Sequence, residues 1–253
     1  MGSAPKSYFL LYMMALLPAL CYTEDSYVGS KATYYNTPDG LGTPNGACGY
    51  GECGRTVYGG NAGAVSNKLY RNGTGCGACY EVTCKIPHLC NSDGVKVVAT
   101  DRGDRGDNTD FILSKHTYAA MANPKMASKL FAYGVVPIAY MRVSCRYPNH
   151  NLAVKVHEWS RYPNYLAIVF LYQDGKSDIN AVQVLQSDGR LWRNMGKLNG
   201  AGAVWGVANP PRCALTLRIQ VSGSQGQKWV NLGRVIPREW VSGATYETGI
   251  KLA

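Results

Sequence analysis

The 253-residue chain predicts an all-β protein of two domains, and three observations carry that prediction: low charge with abundant glycine and tyrosine, an apolar leader, and a partition of cysteine from tryptophan along the chain. Only 17% of residues are charged, while 29 are glycine and 18 tyrosine, a composition that favours strands and turns over helix or disorder. The leader, residues 1–23, reads as a signal peptide: Lys6 precedes the apolar run Tyr8 to Leu17, and Ala19 and Cys21 stand where small residues precede a cleavage point. That run is shorter than the roughly 20 residues a membrane span needs, so no membrane association is expected of the mature form. Cleavage removes Cys21 and leaves eight of nine cysteines, an even set that suits disulfides in an oxidising compartment.

Seven of those eight cysteines lie between Cys48 and Cys145, whereas all five tryptophans (Trp159, Trp192, Trp205, Trp229, Trp240) follow the stretch Arg146 to Asn151. The Pro-Asn content of that stretch suits a linker, which sets the domains at residues 24–148 and 152–253. In the first, Lys31 to Tyr35 and Val95 to Thr100 read as strands, with a short helix near Ser66 to Arg71 and another capped by Ser114. In the second, Leu215, Leu217, Ile219 and Val221 alternate with Thr216, Arg218 and Gln220, as in a strand with one wet face. Val182 with Val184, and Leu152 with Val154 and Val156, repeat the pattern, and several such strands in about 100 residues suggest a β-sandwich.

The formal charge is +10, and residues from 153 onward carry 12 Lys and Arg against 6 Asp and Glu. Such a balance favours an acidic partner, and outside a cell that means a pectin-like polysaccharide; nucleic acid is excluded because no basic run or recognition motif is present. The four histidines (His88, His116, His150, His157) show no ligand spacing, and Cys76-x-x-Cys79 lacks the second pair a zinc site needs, so neither a metal nor a cofactor is expected. Asn72-Gly73-Thr74 is an N-glycosylation sequon in a turn. The two Arg-Gly-Asp triplets between Asp101 and Asp107 are residue types that turns favour anyway.

The most specific feature is the cysteine spacing: Gly46-Ala-Cys48-Gly-Tyr-Gly51, then Cys76-Gly-Ala-Cys79-Tyr-Glu-Val-Thr-Cys84, then Cys90 and Cys145. With Ala32-Thr33-Tyr34-Tyr35, Thr100-Asp101 and Tyr165-Leu-Ala-Ile-Val169, it resembles the plant expansin superfamily over nearly the whole mature chain. Gly51 to Arg55, Arg71 to Tyr80 and Thr109 to Ser114 are most similar to its expansin-like B branch. The resemblance implies a six-stranded double-psi β-barrel followed by an immunoglobulin-like β-sandwich. It also implies the pairs Cys48–Cys76, Cys79–Cys145 and Cys84–Cys90, whereas spacing alone leaves 15 pairings open. Cys53 and Cys213 lie outside that frame, either as free thiols or as a clamp between the domains.

Expansins resemble inverting endoglucanases, whose chemistry needs an acid and a base roughly 6.5 to 9.5 Å apart. The family acid is the Asp of His-Phe-Asp-Leu-Ser, and the matching residues here run Asp110-Phe111-Ile112-Leu113-Ser114, so Ile112 occupies its place. Thr33, Tyr35 and Asp101 keep family positions and are expected to line a glycan groove. Asp110 shares a strand face with Ile112 and could present a displaced carboxylate beside Asp101. The weightier reading makes it solvated loop charge with Asp104 and Asp107, because two residues shift a carboxylate by roughly 6.5 Å along a strand. In the second domain the resemblance points to Tyr165 and Trp205 as glycan-stacking residues, with Trp159 and Tyr162 behind them, and core packing is expected of Trp192, Trp229 and Trp240. The expectation is therefore a secreted, monomeric, non-hydrolytic protein that binds cellulose or hemicellulose in the cell wall and acts in its loosening. The alternatives are a weak endoglucanase using Asp101 and Asp110, or a purely structural wall-binding protein.

Overall fold

The computed structural model describes residues 26–56, 59–224 and 226–252, so the signal-peptide assignment lies outside the described residues. The first domain is a closed six-stranded barrel of β1 (Val28–Tyr34), β2 (Ala62–Val65), β3 (Cys79–Cys84), β4 (Val95–Arg102), β5 (Thr109–Leu113) and β6 (Val136–Val143), in the order β1-β5-β2-β4-β3-β6. The β1–β5 and β2–β4 pairs are parallel and the other pairings antiparallel. Tyr80, Phe111 and Tyr140 meet edge to face inside, with ring centroids 5.0 to 5.8 Å apart. Short helices decorate the barrel: α1 (Cys53–Thr56), α2 (Asn67–Tyr70), α3 (Lys115–Ala120) and α4 (Ala127–Tyr133). Ser114 starts α3 as expected, its Oγ accepting the Thr117 N–H at 3.0 Å.

The second domain is a sandwich. Its five-stranded sheet runs β11-β12-β8-β7-β15, built from β7 (Ala153–Val156), β8 (Tyr165–Leu171), β11 (Gly196–Leu198), β12 (Ala201–Ala208) and β15 (Thr245–Glu247). Its four-stranded sheet runs β10-β9-β13-β14, from β9 (Asp178–Leu185), β10 (Trp192–Asn194), β13 (Leu215–Gly223) and β14 (Gly226–Ile236). The two cores share the five-stranded sheet. Leu166, Ile168 and Phe170 of β8 face the partner sheet, while Ala167, Val169 and Leu171 join the barrel's apolar cluster. A strand dry on both faces reads as an unbroken apolar run, which is what Tyr165 to Leu171 is.

The disulfides are Cys48–Cys76, Cys79–Cys145 and Cys84–Cys90, with Cα atoms 5.6, 5.8 and 5.5 Å apart. Cys53, half-buried, and Cys213, exposed, are unpaired thiols, so no clamp joins the domains through them. The seam is held instead by backbone and charge. Gly202 N donates to Ala47 O at 2.7 Å and Ala203 N to Cys48 O at 3.0 Å. Asp178 accepts two bonds from Arg71 and one from Arg142, all at 2.7 to 2.8 Å. At Gly49 φ is +76°, and a Cβ there would stand 2.5 Å from a Val204 methyl, so this loop reaches the sandwich only as glycine.

Candidate functional site

Asp101 lies at the end of β4, beneath the loop that carries Gly46 and Ala47. Its Oδ1 accepts the Ala47 N–H at 2.6 Å and the Arg102 N–H at 2.7 Å. Tyr35 stands beside it, and burial first, then the charge of Asp101, push its phenol well above the ordinary value, so it remains a neutral donor. Tyr35 and Asp101 are thus brought together, with Thr43, Pro44 and Gly46 over them. The space they enclose is about 10 Å³, room for about one water rather than a sugar ring. Asp101 is the one acid among the described residues that line it.

Thr33 does not join them. Its hydroxyl commits its proton to the Gly134 carbonyl after α4 at 2.8 Å, and at 3% exposure its lone pairs are out of reach of a glycan. Asp110 corrects both expectations held for it. Only 5% exposed, it is neither loop charge nor a partner of Asp101: one oxygen accepts from Ser66 Oγ at 2.6 Å, the other from Ser30 Oγ at 2.9 Å and Tyr140 Oη at 3.3 Å. The β1–β5 register shifts at Asp110, so simple alternation with Ile112 does not set its direction, and three hydroxyls from distant segments satisfy the carboxylate. Asp104 and Asp107 are the exposed ones, bonded to Asn67 and Lys31.

The aromatic residues also redistribute. Trp205 lies in the sandwich core at 6% exposure, because the alternation that sets Val204 against the barrel loop turns Trp205 and Val207 inward; it presents no stacking face. Tyr165 is half-buried at the start of β8, leaning on Gly206 of β12 on the barrel side of the sheet. Trp159 and Tyr162, in the loop between β7 and β8, are 50% and 53% exposed. Trp240 is buried as expected, whereas Trp229 is exposed and Trp192 half-buried.

Sequence matching ties this geometry to known proteins. A chain named "Expansin-like B1" from Arabidopsis thaliana is 50% identical over 95% of this chain and 94% of its own length. The chain belongs to the expansin family. A second "Expansin-like B1", from Oryza sativa subsp. japonica, is 42% identical over 90% of each chain. Residues 62–140 match the family described as "Lytic transglycolase", and residues 152–237 match the "Expansin C-terminal domain". Among solved structures, the apo expansin of Clavibacter michiganensis superposes with a TM-score of 0.64 at 20% identity, over 89% of this chain and 98% of that one. A point mutant of that same bacterial expansin, solved in complex with cellohexaose, superposes equally well. The barrel and sandwich are therefore the expansin architecture.

Sequence reasoning gives too little weight to the bolt that connects the two halves of this expansin site. His157 Nε2 lies 3.0 Å from the Gly49 carbonyl, and its Nδ1 accepts the Trp159 N–H at 3.2 Å. Those contacts fix the neutral tautomer with the proton on Nε2, and burial holds the imidazole below its ordinary pKa despite Glu158 beside it. The indole of Trp159 packs on the His157 ring at 4.4 Å. Trp159 is thereby fixed beside the barrel loop whose Ala47 caps Asp101. A lone histidine without ligand spacing carries no sequence signal for such a role.

Proposed function

We propose that this expansin is a secreted wall protein that binds cellulose or hemicellulose along the junction of its two domains without cutting it. The observation that carries the reading is the set of acids at Asp101: among the described residues it is the one acid lining the space it shares with Tyr35, Asp39 and Glu52 are tied to Arg55, and Asp110 is bonded within the barrel. The motif match, which sets Ile112 at the position of the family acid, supports the same reading. Inverting hydrolysis needs two carboxyl groups, one to protonate the leaving oxygen and one to activate water. Exposed Trp159 and Tyr162, with half-buried Tyr165, supply flat apolar faces for sugar rings at little entropic cost. The cellohexaose complex of the Clavibacter relative supports a β-linked glucan as ligand. Wall loosening follows physically if binding favours a distorted glycan contact over an adhering one. Secretion rests on the apolar leader and the disulfides, and Asn72, exposed in a turn, suits glycosylation.

Pull-down on cellulose and xylan tests the assignment. Trp159→Ala is expected to weaken binding roughly tenfold and Tyr165→Ala by less, on the scale of one lost aromatic contact. Wild-type binding by both variants refutes the junction as the site.

A further inference from the structure

A second aromatic site lies on the opposite side of the sandwich, on the outer face of the four-stranded sheet. There Arg218 of β13 is held between two indoles, its guanidinium carbon 4.3 Å from the Trp192 centroid and 4.6 Å from that of Trp229. Its Nε donates to Gln183 Oε1 at 2.7 Å, which fixes the plane of the fork, and its Nη groups meet no acceptor among the described residues. A guanidinium packed against two indoles and bonded through Nε has given up much of its rotamer freedom before any ligand arrives, and its Nη edge is the one that takes a carboxylate in two parallel hydrogen bonds. Trp229 remains 40% exposed, so an indole lies open beside that edge.

Positive charge predominates on the strands that carry the stack, with Asp188 in the turn between β9 and β10. Thr216, across from exposed Arg234 on β14, shares the outward parity of Arg218. Among the described residues of β9, β10, β13 and β14 the single acid is Asp178, and it is bonded to Arg71 and Arg142 of the barrel domain. A neutral glucan offers this arginine pair hydroxyl acceptors but no counter-charge, whereas a uronic acid polymer offers ring faces to the tryptophans and a carboxylate to each arginine. We infer that the Trp192–Arg218–Trp229 face is a second polysaccharide site, specific for acidic polyuronate chains and independent of the junction site for neutral glucans.

The test uses the full secreted chain and two immobilised probes, de-esterified polygalacturonate and cellulose. Trp229→Ala and Arg218→Gln are expected to weaken polygalacturonate retention roughly tenfold each while cellulose binding stays within twofold. Trp159→Ala is expected to do the reverse, so failure of this site and failure of the junction reading are told apart. Fully methyl-esterified pectin is expected to bind the wild type far more weakly, and salt to release polygalacturonate. Arg234→Gln, an exposed change that leaves the stack intact, is expected to lose about threefold and covers the case in which a stack variant folds poorly. Wild-type retention by folded Trp229→Ala or by Arg234→Gln, equal binding of esterified and de-esterified polymer, or a parallel loss on cellulose would each overturn the proposal.

Discussion

Ser30, Ser66 and Tyr140 reach Asp110 from 80, 44 and 30 residues away, and together they occupy both of its oxygens. A buried carboxylate without such donors carries a large desolvation penalty, so these bonds determine where the side chain can stand. Asp110→Ala strands the hydroxyls of Ser66 and Tyr140, while Ser30 keeps the Asn108 carbonyl, and is expected to cost about 2–4 kcal/mol of stability, and Asp110→Asn about 1–2 kcal/mol. Cellulose binding by the folded protein should not change in either, as urea titration and pull-down together would show; a loss of binding without a loss of stability would return Asp110 to the groove. Motif position singles out Tyr35 and Asp101 in the sequence, and the structure sets those two side by side. The hydroxyl cluster around Asp110 is not legible in the sequence, because its members meet only through barrel closure, and Thr33 is hidden likewise by its bond to Gly134 at the end of α4.

Strand periodicity predicts β13 correctly because one of its faces is wet, and its burial alternates along the whole of Leu215 to Ser222. The unbroken run Tyr165 to Leu171 carries different information: β8 is dry on both faces, since the barrel docks on the sheet. β12 is dry on both faces too, and from its run Ala201 to Val207 the sequence cannot tell which face a given residue takes, which is why Trp205 is expected at the surface and stands in the core. The loop between β7 and β8 carries the exposed aromatics Trp159 and Tyr162, and His157 packs against the first of them. His157→Ala removes both of its hydrogen bonds and is expected to cost about 1–3 kcal/mol and to weaken cellulose binding as far as Trp159→Ala does. Binding at the wild-type level in that variant would show that Trp159 needs no such fixing.

The two domains act as one body through a seam in which Asp178 is the central charge. Burial works to raise its pKa, but the bonds from Arg71 and Arg142 outweigh burial and hold it below 3.8. A depressed carboxylate contributes stability that is complete above its unfolded pKa and is lost as pH falls through the folded one, so this contribution begins to fall below about pH 4 and is gone only once pH has passed the lowered folded value. Asp178→Asn is expected to cost about 1–3 kcal/mol at neutral pH, discounted because both arginines are partly exposed, and to flatten the acid limb of the melting profile. Superimposable acid limbs would assign the seam's stability to its apolar contacts alone. The whole-molecule claim is that the joined domains grip a β-glucan that they lack the acid to cut. Its most direct test is a single incubation of the pure protein with soluble and insoluble β-glucan, scored for bound protein and for new reducing ends. Binding with no reducing ends above the protein-free blank is expected; reducing ends that accumulate with time and vanish in Asp101→Asn would show a hydrolase instead.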